Sequence, residues 1–250
     1  MVETWMEEKG WEEWNERLLH GSRQYPVEDS RVPTMTIDFY YAEGSGPCRF
    51  IQILIKHLGI EVNPIHYDLM KKEHMKPEFI KINPQHCVPT IVDNGFALWE
   101  SNAIAAYLIQ KYAKDDEGLC PKEPKRRAMV DQRLYFNNGT LGQRFADYYY
   151  PIMLGNATPD EAKFKKMQEA FEFLETFLDK SEYVAGDCLS VADLAIGTTV
   201  ATYDVAKFDR SAYKNVDKWY KKVQKAVPAF DEYNSLELLT KLFEKFLKNK

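Results

Sequence analysis

A hairpin signal at residues 90–98 constrains the fold of this 250-residue chain more than any other feature. Two short runs rich in β-branched, aromatic and other apolar residues, 90–92 and 96–98, flank the turn sequence Asp93-Asn94-Gly95. Asn-Gly between two such runs favours a tight turn, because both residues tolerate a positive φ. The two runs are therefore predicted to be neighbouring antiparallel strands.

Strand and helix signals alternate on both sides of this hairpin. Residues 36–41 are predicted to form a strand, a helix opened by Pro47 follows, and a second strand is predicted near residues 61–67. A short crossover leads to the hairpin, and Glu100-Ser101 then opens a helix that runs to Tyr112. This β-α-β-α-β-β-α order is a thioredoxin-like topology.

The rest of the chain is predicted to be helical beyond a charged, Pro-containing linker at residues 115–125. The run 191–205 is apolar on nearly all sides and follows the capping box Ser190…Asp193, which predicts a central helix. The fold class is therefore α+β, with a thioredoxin-like domain at 35–114 and an all-helical C-terminal domain at 122–250. Residues 1–34 are an N-terminal extension, for which a short helix and a disordered leader are equally compatible.

Composition excludes several classes of protein. Lys and Arg number 33 against 38 Asp and Glu, so the basic excess expected of a nucleic-acid binder is missing. No window reaches about eighteen apolar residues, and the acidic N-terminus lacks the apolar core of a secretory signal. The four Cys and five His show no metal-ligand or disulfide-scaffold spacing, which predicts a cytoplasmic protein without a metal.

The tetrapeptide Ser45-Gly46-Pro47-Cys48 lies at the turn after the first strand, where thioredoxin-like redox proteins place Cys-Gly-Pro-Cys. A hydroxyl cannot form a mixed disulfide, so Ser45 removes dithiol exchange at this position. Beside the positive end of a helix dipole, Ser45 can instead donate a hydrogen bond to the thiolate of a ligand. A turn serine that only caps the helix explains the tetrapeptide equally well.

Two further sequences suit a peptide-like ligand. Val88-Pro89 precedes a strand at the position where thioredoxin-like domains expose the backbone for pairing with a peptide. At the start of the next helix, Ser101 and free amides suit a carboxylate, while Glu100 can accept from an ammonium group. An ordinary N-cap with an acidic first turn is the alternative. A thiol, a peptide backbone and an amino-acid headgroup occur together in glutathione.

From residue 35 to about residue 230 the chain resembles the delta-class glutathione transferases of insects. The resemblance rests on three stretches: residues 38–49 with Ser45-Gly46-Pro47-Cys48-Arg49, residues 76–86, and residues 92–101. It implies that Ser45 is the catalytic serine and that glutathione is the co-substrate. It also implies glutathione-binding roles for His74, His86, Val88, Pro89, Glu100, Ser101 and Asn102. Taken alone, the two histidines are typical of surface residues.

The chain departs from the family pattern at several positions. Asn102 replaces the Arg that usually follows Glu-Ser, which removes a charged contact to the γ-glutamyl carboxylate. In place of Tyr-Phe-Asp-Met-Gly-Thr-Leu-Tyr, residues 135–142 include Asn137, Asn138 and Gly142. The resemblance places Asn137 near the dimer interface. It predicts a wider, more polar electrophile pocket lined by Asn138, Gly142, Tyr150, Leu154 and Phe208; the last three are equally compatible with core positions.

The sequence therefore predicts a cytoplasmic glutathione S-transferase acting on hydrophobic electrophiles, with dehydrochlorinase or peroxidase side activity. The resemblance implies a homodimer, with neither nucleic acid nor membrane as partner. A non-catalytic member that keeps the fold as a binding or scaffold protein is the alternative. A thiol transferase based on Cys48 is disfavoured, because Cys48 is at the resolving position inside the helix.

Overall fold

The computed structural model describes residues 36–113 and 118–248, with side chains through residue 244. The N-terminal extension, residues 1–34, and part of the predicted linker lie outside these residues. The described part begins with a mixed sheet of four strands in the order β2-β1-β3-β4, in which β1 is parallel to β2 and antiparallel to β3. The strands are β1 (Ile37–Tyr41), β2 (Val62–His66), β3 (Thr90–Asp93) and β4 (Phe96–Trp99).

Helices interleave with these strands and then make up the remainder of the described chain. A 3₁₀ turn (Glu73–Met75) precedes α2, and a π-helical turn (Asn137–Gly142) joins α4 to α5. The predicted β-α-β-α-β-β-α order and the following all-helical region are confirmed, although α4 begins inside the predicted linker. The helices are α1 (Gly46–Leu58), α2 (Pro77–Ile82), α3 (Ser101–Tyr112), α4 (Pro124–Phe136), α5 (Gln143–Gly155), α6 (Glu161–Leu178), α7 (Val191–Val205), α8 (Lys214–Ala226), α9 (Ala229–Asn234) and α10 (Leu236–Lys248).

The predicted hairpin forms through a two-residue turn. Asn94 and Gly95 both have positive φ, 51° and 81°, as a turn of this hand requires. The preceding Asp93 is buried and accepts hydrogen bonds from three side chains of α3. Burial raises the pKa of Asp93, but these three donors outweigh burial and lower the pKa overall. The donors are Lys111, Tyr112 and Tyr107, at 2.7, 2.5 and 2.7 Å.

Helix α7 runs through the centre of the helical region, as its uniformly apolar sequence predicts. Its start is fixed by Asp193, which accepts from the Ser190 amide and from Trp219 Nε1, each at 2.8 Å. Midway along α7 the backbone passes close to another helix at Gly197. A Cβ there would lie 2.9 Å from the Phe230 ring, so only glycine allows this approach. The buried α7 therefore gives the neighbouring helices a fixed position around it.

Candidate active site

A cavity of about 790 Å³ lies between the sheet and the helices. The segments after β1 and β2, the loop before β3 and the start of α3 form one side of it. The π-helical turn and helices α5, α7 and α10 form the other side. Nine of the predicted site residues line this cavity together: Ser45, Val88, Pro89, Glu100, Ser101, Asn138, Gly142, Tyr150 and Leu154.

Ser45 is the N-cap residue of α1 and faces the cavity. Its Oγ accepts from the Cys48 amide at 3.5 Å, which is the outer limit of a hydrogen bond. The same hydroxyl also makes a side-chain hydrogen bond with the Cys48 thiol, which acts to lower the pKa of that thiol. The structure therefore shows Ser45 as a weak cap of α1, while its role towards a thiolate in the cavity stays a prediction.

Val88, Glu100 and Ser101 lie on the same side of the cavity as Ser45. The Val88–Pro89 peptide bond is cis. Glu100 has φ 67° and ψ 108°, a conformation that a residue with a side chain rarely adopts and that is typical of functional sites. Although Glu100 is the N-cap of α3, its carboxylate makes no capping bond. Both that carboxylate and the first amides of α3 can therefore serve a ligand headgroup.

His74 and His86 lie beside each other but do not line the cavity. Their rings are 6.1 Å apart, and Nδ1 of His74 is buried without a hydrogen-bond partner among the described residues. Burial, together with the nearby His86, lowers the pKa of His74. The pair lies next to the segment that precedes β3, and neither ring lines the cavity.

Two other predicted positions are corrected by the structure. Asn102 points its Nδ2 towards the carbonyl of Leu134 at 3.5 Å, and it does not line the cavity. Phe208 is only 6% exposed and packs against the rings of Phe171 and Tyr203, with centroids 4.6 and 5.3 Å away. Phe208 is therefore part of an aromatic core that supports α7, which was the alternative the sequence left open.

Asn137 lines the cavity, and its expected contact at the dimer interface stays a prediction. It is 8% exposed, and its Oδ1 has no hydrogen-bond partner among the described residues. A buried, unpaired amide oxygen costs about 1–3 kcal/mol, so it calls for a functional explanation. The π-helical turn that holds it depends on Gly142, where a Cβ would lie 3.0 Å from the Asn137 carbonyl. Such turns occur frequently at functional sites.

Sequence reasoning missed two parts of the cavity. The first is Arg49 of α1, which is 3% exposed and reaches the cavity floor. The second is helix α10, whose Leu239, Leu242 and Phe243 form an apolar wall. A Cβ on Gly44 would lie 3.8 Å from Leu242 Cβ, so α10 packs directly over the loop that carries Ser45. The apolar stripe of α10 is visible in the sequence, but a stripe does not show what it covers.

Cys48 and the other chemistry-bearing groups offer no competing site. Cys48 is fully buried, and burial raises the pKa of its thiol to about 11, so it is neither accessible nor a thiolate at neutral pH. Within residues 36–113 and 118–248, no three His, Cys, Asp or Glu side chains converge as a metal site would require. No helix in the described part is long and apolar enough to span a bilayer.

Comparison with known proteins identifies the family. Residues 38–110 match the glutathione S-transferase N-terminal domain, and residues 160–222 match the corresponding C-terminal domain. A delta-class glutathione transferase of Nilaparvata lugens is 48% identical, with a TM-score of 0.81, over 86% of this chain and 100% of that one. A Bombyx mori glutathione transferase is 39% identical, with a TM-score of 0.80, over 86% of this chain and 99% of that one.

A more distant relative, an epsilon-class glutathione S-transferase from Musca domestica, is 34% identical with a TM-score of 0.77, over 84% of this chain and 98% of that one. The chain therefore belongs to the glutathione S-transferase family, as the fold and the serine-bearing cavity indicate. Within that family it is a glutathione transferase of the delta class.

Proposed function

We propose that this transferase attaches the thiolate of glutathione to hydrophobic electrophiles by substitution or addition. Dehydrohalogenation, in which the thiolate removes a proton while halide leaves and a double bond forms, and peroxide reduction, in which two glutathione molecules become the disulfide while the peroxide gives alcohol and water, are proposed as side activities. One observation carries the proposal: Ser45, the N-cap residue of α1, lines the cavity with its hydroxyl at the N-terminus of that helix. That hydroxyl and the helix dipole both favour an anion, so they stabilise the thiolate over the thiol. Ser45 is the catalytic residue in this proposal.

The glutathione half of the cavity is assigned to the thioredoxin-like side. Val88 and Pro89 line the cavity and can offer backbone carbonyl and amide groups of Val88 to the cysteinyl part of the ligand, while Glu100 and Ser101 supply a carboxylate and helix amides for the γ-glutamyl group. A Bombyx mori glutathione transferase has been solved in complex with GTT, which supports the proposal that a protein of this fold binds a glutathione-type ligand. We assign no direct contact to Asn102, because its side chain points towards Leu134.

The electrophile half is assigned to the helical side, which has two unlike walls. Asn137 and Asn138 form a polar wall, and the residues of α10 face it with an apolar one. We expect electrophiles that combine an apolar body with a hydrogen-bonding group to react best. Of the electrophile-pocket residues predicted from the sequence, the proposal keeps Asn138, Gly142, Tyr150 and Leu154.

The experiment begins with retention on immobilised glutathione, followed by conjugation of chlorodinitrobenzene. A panel of a conjugated enal, a chlorinated hydrocarbon and an organic hydroperoxide then separates addition, dehydrochlorination and peroxide reduction. Retention without turnover on any substrate would favour the alternative of a binding or scaffold protein. Failure to bind glutathione at all would contradict both proposals.

A cytoplasmic homodimer is the remaining part of the proposal. Large apolar side chains remain exposed on the described chain, including Phe96 at 50% and Tyr135 at 79%. Single exposed apolar residues do not by themselves indicate a partner, so the homodimer is proposed from the family resemblance. Light scattering on the purified protein measures the assembly directly, and a monomer at micromolar concentration would contradict it.

A further inference from the structure

Arg49 is a buried cation whose partners are all neutral. Its Nη2 donates to Thr202 Oγ1 at 2.6 Å, its Nη1 donates to Asn234 Oδ1, and its Nε has no partner among the described residues. No described carboxylate lies within ion-pair distance of the guanidinium. A charge taken out of water is normally paired with an opposite charge. Its missing counter-ion therefore needs an explanation.

The groups packed around Arg49 do not supply that counter-ion. They come from three elements: Cys48 on α1, Tyr150 on α5 and Tyr220 on α8. Burial raises the pKa of both Cys48 and Tyr220, so neither is an anion at neutral pH. Burial also lowers the pKa of Arg49 to about 10, which leaves the guanidinium charged at neutral pH.

Arg49 lines the same cavity as Ser45 and follows it four positions later in the chain. Its backbone amide donates to the Ser45 carbonyl at 2.9 Å, so the two residues are one helical turn apart. The guanidinium lies next to Gly46, where a Cβ would be 3.7 Å from Nη2. Gly46 follows Ser45 directly in the chain, so this contact places the charge close to the N-terminus of α1, where an anion held at Ser45 would lie.

The other charged groups that line the cavity have the opposite sign. They are the carboxylates of Glu43, Asp68 and Glu100, whereas Arg49 is the one Arg or Lys among the described lining residues. The other titratable residues in the lining are His66, Tyr67, Cys87 and Tyr150. A thiolate in this cavity would therefore meet negative potential from the rim, and Arg49 is the fixed positive charge that opposes it. Because Arg49 is buried, water and salt screen it little.

We propose that Arg49 stabilises the thiolate of glutathione bound at Ser45 through its buried positive charge, without touching the sulfur. This inference rests on the proposed function of the cavity. Ser45 supplies the hydrogen bond, and Arg49 supplies the net charge that a neutral hydroxyl cannot. Arg49 is thus a positioning residue that acts through the electric field at the N-terminus of α1.

The test neutralises Arg49 without removing it. Asn234→Asp places a carboxylate where Nη1 already donates, with almost no change in volume. We expect the pKa of the bound glutathione thiol to rise by about one unit, as loss of a nearby unit charge predicts. Gln168→Glu on the exposed face of α6 adds the same charge away from the cavity, and it should leave this pKa unchanged.

The readout is the ultraviolet absorbance of the bound thiolate titrated across pH, together with the pH profile of kcat/KM for chlorodinitrobenzene. The absorbance titration needs no electrophile, so it tests Arg49 even if turnover is absent and the proposed function fails. A folded Asn234→Asp protein whose thiol titrates like the wild type overturns the proposal, even if kcat falls. If Asn234→Asp does not fold, Arg49→Lys and Arg49→Met replace it. A lower thiol pKa in Arg49→Lys than in Arg49→Met supports the proposal, and equal values overturn it.

Discussion

Ser45→Ala separates the two roles that the structure gives to one hydroxyl group. As a helix cap, Ser45 makes a long bond of 3.5 Å to the Cys48 amide. Caps contribute about 0.5–2 kcal/mol, and a bond of this length belongs at the low end of that range. Helix α1 is held mainly by its buried face, since Phe50, Ile51 and Leu54 are at most 2% exposed. The variant should therefore remain folded, with Tm lowered by about 1–4 °C.

The effect on catalysis should be much larger than the effect on stability. Removing one preorganised donor to an anion typically lowers the rate by about 10²–10³-fold, equivalent to about 2.7–4 kcal/mol. We expect that loss in kcat/KM for chlorodinitrobenzene, and a kinetic pKa shifted towards about 8.5, the value for an ordinary thiol. Thermal melting and the pH profile measure the two effects on the same preparation.

Asp160→Ala is the matched control for Ser45→Ala. Asp160 caps α6, and its Oδ1 accepts from the Lys163 amide at 3.1 Å, far from the cavity lining. It should lower Tm at least as much as Ser45→Ala and leave conjugation unchanged. Activity of Ser45→Ala within about twofold of the wild type would refute the reasoning. A backbone amide at the start of α1 would then be the activating group.

Three further outcomes are expected. Asn102→Arg should change the KM for glutathione by less than about twofold, because the native side chain points towards Leu134 and not into the cavity; a clearly lower KM would show that this position reaches the headgroup. Asp93→Asn should lower the free energy of unfolding measured in urea at pH 7. The difference in that free energy between the variant and the wild type should narrow as pH falls below about 4, because a carboxyl group with a lowered pKa stabilises the fold only above that range. A protein that begins at Met35 should fold and conjugate with nearly unchanged kinetics, since every proposed site residue lies downstream; an insoluble product would place residues 1–34 inside the fold.

The parts of the fold that were predictable from sequence depend on local chemistry. Asn94-Gly95 determines the hairpin because few residues accept positive φ at both positions. Ser190 and Asp193 mark the start of α7 because a capping box satisfies helix amides within one turn. Ser45 was identified for the same reason, since its role follows from a turn and a helix start that are adjacent in the chain. None of these inferences requires knowledge of which elements pack together.

The parts that were not predictable depend on which surfaces meet. Phe208 is an aromatic residue in a helical region, and its sequence suits a pocket wall as well as the core that it occupies. Arg49 lies within an apolar helix, and that position signals burial. Only the fold shows that the residues to which its guanidinium donates are Thr202 and Asn234, which are both neutral. The direction in which a side chain points and the group that it contacts are tertiary properties, so the residue type alone does not determine them.

Asn102 and Asn137 show this limit most clearly, because the sequence treats them as two separate departures from the family pattern. Both residues approach the Leu134 carbonyl, but through different groups: Asn102 Nδ2 lies 3.5 Å away, whereas Asn137 donates its backbone N–H. That backbone contact does not place the Asn137 side chain beside Asn102. The two side chains share another property, because the Oδ1 atom of each is buried without a hydrogen-bond partner among the described residues. Which surface each amide meets is a tertiary property, so two similar departures in the sequence have different surroundings in the fold: Asn137 lines the cavity and Asn102 does not.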